Sequence, residues 1–144
     1  MTMDRLLVAR VLPLLATIGY GLLTVKVDFN NTHATNPLWT GHARFHVVWQ
    51  ITSYVGFGAI ALWLIWAPGE MATQRIYLAV AFAAVVYGAF FIALFSMPVY
   101  GGRAYDENGY LPFAVGRMKW DANVTAFSVM TAFLAAGAAL VAVG

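Results

Sequence analysis

Long apolar runs alternate with polar segments along the whole chain. Each apolar run is close to the ~20 residues that a helix needs to cross the hydrocarbon core of a bilayer. The runs predict four membrane-spanning helices, which cover Leu6–Val25, His42–Trp66, Ile76–Phe95 and a last stretch from Asp121 or Val124 to Val143. The pattern therefore predicts an all-α fold, in which residues 1–144 form a single membrane domain of four helices.

Polar segments rich in Asn, Pro and Gly separate the predicted helices and favour loops. The third helix is expected to end at Ser96-Met97-Pro98, because proline cannot donate the next helical hydrogen bond. Four spans place the two long loops, 27–40 and 99–119, on one side of the membrane, and both termini on the other. All three histidines then lie on the long-loop side, so we expect the functional site there.

Composition supports a membrane location. Hydrophobic residues make up 62% of the chain and charged residues only 10%, whereas about a quarter of a soluble domain is charged. The absence of cysteine excludes disulfides, thiolate metal ligands, iron–sulfur clusters and cysteine nucleophiles. A net charge of +2 is too small and too scattered to indicate binding to nucleic acid. We expect an integral protein of the lipid bilayer, in a bacterial inner membrane.

The first apolar run follows Arg5 and Arg10, as the apolar part of a secretory signal peptide does. The run is long enough to span a membrane, and no small-x-small cleavage motif follows it. We therefore expect it to be retained as the first helix. The Lys and Arg distribution leaves the orientation of the chain open, because Arg44 and Arg103 belong to the candidate site described next.

A polar stripe enters the second predicted helix. His42, His46, Gln50 and Ser53 follow one another at steps of four, four and three residues, which places them on one helix face. Polar side chains inside a membrane helix are costly, so they mark a candidate functional site.

Three interpretations of this stripe remain open. In the first, His42 and His46 form a hydrogen-bonded pair that anchors the preceding loop. In the second, the pair binds zinc, copper or iron, because His-x3-His is a known ligand spacing on a helix. The remaining metal ligands would then come from acids or a histidine in the loops, namely His33, Asp106 or Glu107.

The third interpretation is a haem, with one imidazole as its axial ligand. His46 is the better candidate, because it lies one turn deeper than His42 and is followed by Trp49 and Gln50. Two histidines one turn apart on one helix point the same way and cannot occupy opposite axial positions of one porphyrin. Arginines pair well with carboxylates such as the haem propionates, and Arg44 and Arg103 are placed for that role.

The tetrapeptide Ala43-Arg44-Phe45-His46 resembles the Ala-Arg-x-His signature of the membrane styrene oxide isomerase family. It also has the same position, at the start of the second of four helices and after a loop with proline and tryptophan. Leu94-Phe95-Ser96 is a weaker match at the end of the third helix. The resemblance implies that His46 binds ferric haem b between the subunits of a trimer, and that the iron acts as a Lewis acid on an epoxide oxygen.

The sequence departs from the family at three positions. The family has tryptophan in place of His42, asparagine in place of Thr52 and an active-site tyrosine in place of Ala93. Tyr87 is a candidate replacement for that tyrosine, although a buried aromatic in the membrane core is the alternative interpretation. The resulting hypothesis assigns catalysis to Tyr87 and Thr52, iron ligation to His46, and cofactor binding to His46, Arg44, His42, Gln50 and Arg103.

The sequence therefore leaves two functions open. The first is a haem b-dependent isomerase that rearranges a small apolar epoxide to a carbonyl compound. The second is a non-catalytic or electron-transfer membrane subunit, whose histidines bind haem or a metal ion or only anchor a loop. The small residues at 135–139 allow another helix to approach closely, and with the resemblance they predict a homotrimer.

Overall fold

A computed structural model describes residues 3–143. The helices are α1 (Met3–Ile18), α2 (Thr24–Asp28), α3 (Gly41–Trp66), α4 (Ala72–Tyr100) and α5 (Ala122–Ala142). A π-helical turn, Gly19–Leu23, joins α1 to α2, so that the three segments form one continuous first rod. The first rod, α3, α4 and α5 are the four helices long and apolar enough to cross a membrane. The predicted all-α, four-helix membrane bundle is confirmed.

Side-chain caps define where two of the helices begin. The hydroxyl of Thr40 accepts a 3.2 Å hydrogen bond from the backbone N–H of Ala43 at the start of α3. The carboxylate of Asp121 accepts a 2.9 Å bond from the N–H of Val124 at the start of α5. Each cap satisfies one of the backbone donors that a helix leaves unpaired at its N-terminus.

The predicted limits of the third membrane helix, Ile76–Phe95, were wrong at both ends. The helix begins at Ala72 and runs through Pro98 to Tyr100. Pro98 lies in the last turn and cannot donate the helical hydrogen bond to the Leu94 carbonyl, and the helix continues for only two more residues. The chain instead leaves the helix at Gly101, whose positive φ of 68° suits glycine and whose N–H bonds to the Met97 carbonyl.

The second long loop contains a short hairpin that the sequence pattern did not predict. Strands β1 (Phe113–Val115) and β2 (Met118–Trp120) pair antiparallel, and Gly116 turns between them with a φ of 62°. All six strand residues are exposed, so there was no alternation of buried and exposed positions to reveal them.

Glycines bring the first rod close to its neighbours. Gly21 faces Gly58 of α3, and a Cβ on either residue would lie 3.5 Å from the other's Cα. Gly137 of α5 packs against Pro13 of α1. The core between the helices is centred on buried Tyr20, Tyr87 and Leu134, and it is flanked by partly buried aromatic and aliphatic side chains.

The two long loops meet at one end of the bundle. The Trp39 indole N–H donates a 3.0 Å hydrogen bond to the Asp106 carboxylate. The side-chain amide of Asn108 donates a 2.7 Å bond to the side-chain carbonyl oxygen of Asn36. The Trp39 bond, followed by the Asn108 backbone N–H, holds the pKa of the Asp106 carboxyl below its ordinary value. The contacts agree with the prediction that both loops lie on one side of the membrane.

Candidate functional site

His42 and His46 form a pair on the first turns of α3. Their Nε2 atoms lie 3.0 Å apart, and the two rings meet edge to face at a centroid distance of 4.5 Å. Both side chains are exposed on the surface of the chain. The spacing of four residues thus brings the two imidazoles together on one side of the helix. They therefore cannot bind one ion from opposite directions.

Two aromatic side chains extend this pair into a continuous surface. Phe45 stacks on His42 at a centroid distance of 6.4 Å, and Trp49 stacks on His46 at 5.9 Å with an interplanar angle of 26°. Phe45 and Trp49 are each 59% exposed. We call the four residues His42, Phe45, His46 and Trp49 the outer histidine face. The face is aromatic and exposed, and its rings are inclined to one another, with 87° between His42 and His46 and 47° between Phe45 and Trp49.

Thr52 lies next to this face. It lines a shallow groove with Phe45, Val48 and Trp49 on the same side of α3. Its hydroxyl donates to the carbonyls of Val48 and Trp49, at 2.9 and 3.0 Å. The hydroxyl proton is therefore used within the helix, and the oxygen keeps a lone pair free to accept a hydrogen bond.

Gln50 and Tyr87 lie elsewhere. Both line a cavity inside the bundle that neither His42 nor His46 reaches. The Gln50 amide donates to the Tyr54 hydroxyl at 3.1 Å. Tyr87 is only 2% exposed, and its hydroxyl donates to the Ala16 carbonyl at 2.6 Å. Within one chain, the structure does not bring these two predicted site residues to His46.

The two arginines of the predicted site, Arg44 and Arg103, also lie apart from each other. Arg44 is half-buried on the first turn of α3, between His42 and His46 in sequence. Arg103 is exposed and lines a groove between the long loops with His33 and Trp39. Neither guanidinium group contacts a carboxylate among the described residues, where the one contact between a basic and an acidic side chain is that of His33 Nδ1 with Asp28 Oδ1 at 3.8 Å.

Within one chain, the outer histidine face brings together two possible metal ligands, His42 and His46. No group of three or more His, Asp or Glu that could hold a metal ion occurs among residues 3–143. A haem needs one axial imidazole and an apolar surface, both of which this face provides.

Sequence reasoning missed a cluster at the polar end of the interior cavity, formed by Asp28, His33 and Asn123. Asp28 is the last residue of the first rod. A carboxylate at the end of an apolar span was the sequence feature that could have indicated this cluster. The approach of His33 depends on the fold of the first loop, which has no sequence motif.

Comparison with protein families, with curated proteins and with solved structures found no match to this chain.

Proposed function

We propose that the protein is a haem b-dependent membrane isomerase that rearranges a small apolar epoxide to a carbonyl compound. The observation that carries the proposal is the position of His46. Its imidazole is exposed beside the aromatic rings of Phe45 and Trp49, and its Nε2 is bonded only to another imidazole among the described residues. The tetrapeptide Ala43-Arg44-Phe45-His46 adds the resemblance to the membrane styrene oxide isomerases.

Each residue of the face has a defined task in this proposal. His46 would hold the haem iron through Nε2, which would require it to give up its 3.0 Å hydrogen bond to His42. Phe45 and Trp49 would contact the apolar part of the ring system, whereas Arg44, two residues from each histidine, points to the other side of the helix. When bound, the ferric haem supplies Lewis acidity at the epoxide oxygen. Thr52 borders the same groove, where it can contact the substrate.

The exposure of the face favours a homo-oligomer, for which we propose a trimer. We propose that a porphyrin bound at His46 would contact Phe45 and Trp49, each 59% exposed, with one side and a second copy of the protein with the other. On α5, Gly137 is already packed against Pro13, but Ala135, Ala136 and Ala139 are exposed and allow a neighbouring helix to approach. We place the protein in a bacterial inner membrane, because apolar helices are typical of that membrane and β-barrels of the outer one.

The visible spectrum of the purified protein tests the proposal directly. After expression with adequate haem supply, we expect a Soret band that His46→Ala abolishes and that His33→Ala, a matched change away from the face, leaves intact. The holoprotein should convert an aryl epoxide to the aldehyde without added reductant. Wild-type protein without haem, or a Soret band that survives in His46→Ala, would contradict the assignment.

The same distance supports one second candidate, a metal-ion site of a non-catalytic or electron-transfer subunit. Two nitrogens that each bind a cation at about 2.0–2.1 Å in adjacent positions lie close to 3 Å apart, as the two Nε2 atoms do. Stoichiometric zinc or copper without porphyrin, lost equally in His42→Ala and His46→Ala, would establish this candidate in place of the first.

A further inference from the structure

A second candidate site lies inside the bundle, at the end that carries the long loops. It is a cavity of about 340 Å³ between the first rod, α3, α4 and α5. This volume is near the lower end of the roughly 300–1,000 Å³ of small-molecule sites in proteins. Because its lining excludes His42 and His46, it is separate from the outer histidine face.

The lining of the cavity includes the Asp28 carboxylate, which accepts no hydrogen bond from another side chain among the described residues. Oδ1 of Asp28 lies 3.8 Å from Nδ1 of His33, which is too long for a hydrogen bond. That nitrogen is instead 2.8 Å from the Thr32 hydroxyl. No other side chain among the described residues forms an ion pair with Asp28. A partly buried carboxylate without a hydrogen-bond donor favours a ligand that supplies one.

The rest of the lining favours a cation over an anion or a neutral group. No lysine or arginine lines the cavity, whereas Trp39, Phe90 and Phe127 do. Aromatic faces attract organic cations. Asn123 also lines the cavity, and its carboxamide oxygen offers a second acceptor near the loop end.

The opposite end of the cavity limits the size of the ligand. A Cβ on Gly19, at the start of the π turn, would lie 2.7 Å from the Tyr87 hydroxyl and 3.1 Å from Cγ of Met130. The Tyr87 hydroxyl is bonded to the Ala16 carbonyl and is not free to turn into the cavity. This end is therefore apolar and narrow, and it fits a single compact ring.

We propose that this cavity binds a small primary amine with one aromatic or alicyclic ring, in its ammonium form. The ammonium group donates hydrogen bonds to Asp28 and Asn123, and the ring packs beside the stacked pair Phe90 and Phe127, whose centroids lie 4.0 Å apart. This site is independent of haem binding at His46. The protein would then bind a second small molecule, and the negative charge of the Asp28 carboxylate would select a ligand with a positive charge.

Titration calorimetry of the full chain in detergent tests the proposal with three probes of the same shape: phenethylammonium, phenethyl alcohol and phenylacetate. We expect binding to weaken in that order, with no saturable binding of phenylacetate. Asp28→Asn should weaken phenethylammonium binding by about tenfold or more, because it removes a charge-assisted hydrogen bond. Glu70→Gln, a matched change in the connector at the other end of the bundle, should leave binding unchanged.

Two further variants separate this site from its alternatives. Ala126→Phe fills the cavity and should abolish binding, whereas Ala132→Phe, on the same helix but outside the lining, should not. His46→Ala should retain phenethylammonium binding, which excludes ligation of the amine to haem iron. Equal binding of phenylacetate, unchanged affinity in a folded Asp28→Asn variant, or loss of binding in His46→Ala would each overturn the proposal.

Discussion

The hydroxyl of Tyr87 donates a 2.6 Å hydrogen bond to the carbonyl oxygen of Ala16, and so ties the middle of α4 to the first rod just before its π turn. The two residues are 2% and 0% exposed. Gly19, which follows Ala16 by three positions, leaves the space in which this hydroxyl lies. This buried hydrogen bond between two helices fixes the position of the π turn relative to α4.

Replacing Tyr87 with phenylalanine removes this bond and little else. We expect the free energy of unfolding to fall by about 0.5–1.5 kcal/mol, the net contribution of a typical hydrogen bond. Tyr77→Phe, on the exposed side of the same helix, is the matched control and should have almost no effect. Thermal unfolding in detergent measures both. An unchanged stability in Tyr87→Phe would show that the bond does not hold the rod.

The glycines of the bundle differ in what surrounds them. A Cβ on Gly137 would lie 2.7 Å from Cδ of Pro13, whereas a Cβ on Gly88 would meet nothing within 4 Å. Gly137→Ala should therefore destabilise the protein by about 1–3 kcal/mol through overpacking. Gly88→Ala should stabilise it by roughly 0.5–1 kcal/mol, since alanine loses less backbone entropy in a helix. The same sign of change in both variants would contradict this packing.

The contact between Trp39 and Asp106 should respond to acid. The indole hydrogen bond lowers the pKa of Asp106 in the folded protein, so the stabilisation is present above the ordinary pKa of 3.8 and is lost as the pH falls through the lowered value. The indole N–H resonance of Trp39, identified by its absence in Trp39→Phe, should stay constant near neutral pH and shift in acid. Asp106→Asn should remove the shift. A shift that persists in Asp106→Asn would assign it to another group.

His42 should compete with the cofactor and not assist it. In the proposed complex, iron at Nε2 of His46 would break the 3.0 Å bond to His42, so His42→Ala would remove a competitor for the same nitrogen. We expect haem titrated into His42→Ala to bind at least as tightly as to the wild type, with the Soret band present. Loss of the band in His42→Ala would instead make His42 the ligand.

The sequence predicted the spans well because hydropathy is a local property that the bilayer imposes on each segment. It also predicted that His42 and His46 meet, because residues four apart are neighbours on any helix. The same rule failed for Gln50. A step of four residues advances a helix by about 40° beyond a full turn, so two steps carry Gln50 away from His42 and into the lining of the cavity.

Other features depend on contacts that no local pattern records. The proline at position 98 favours a helix end, but its place in the last turn and the αL conformation of Gly101 moved that end to Tyr100. The approach of His33 to Asp28 requires the first loop to fold back over the first rod. The Ala-Arg-x-His match located the candidate ligand, although only the structure placed it on the outer surface of α3.

The π turn of the first rod changes the direction in which the side chains that follow it point around the helix axis. A π turn spaces its hydrogen bonds one residue wider than an α-helix does, so the residues of α2 are rotated relative to the faces that α1 presents. Thr24 and Asp28 line the cavity as a result, while the face of α1 that contacts α5 keeps its own register. Deleting one residue within Gly19–Leu23 would restore an unbroken helix and turn the Asp28 carboxylate away from the cavity, although every side chain of the cavity lining on the other helices would be unchanged.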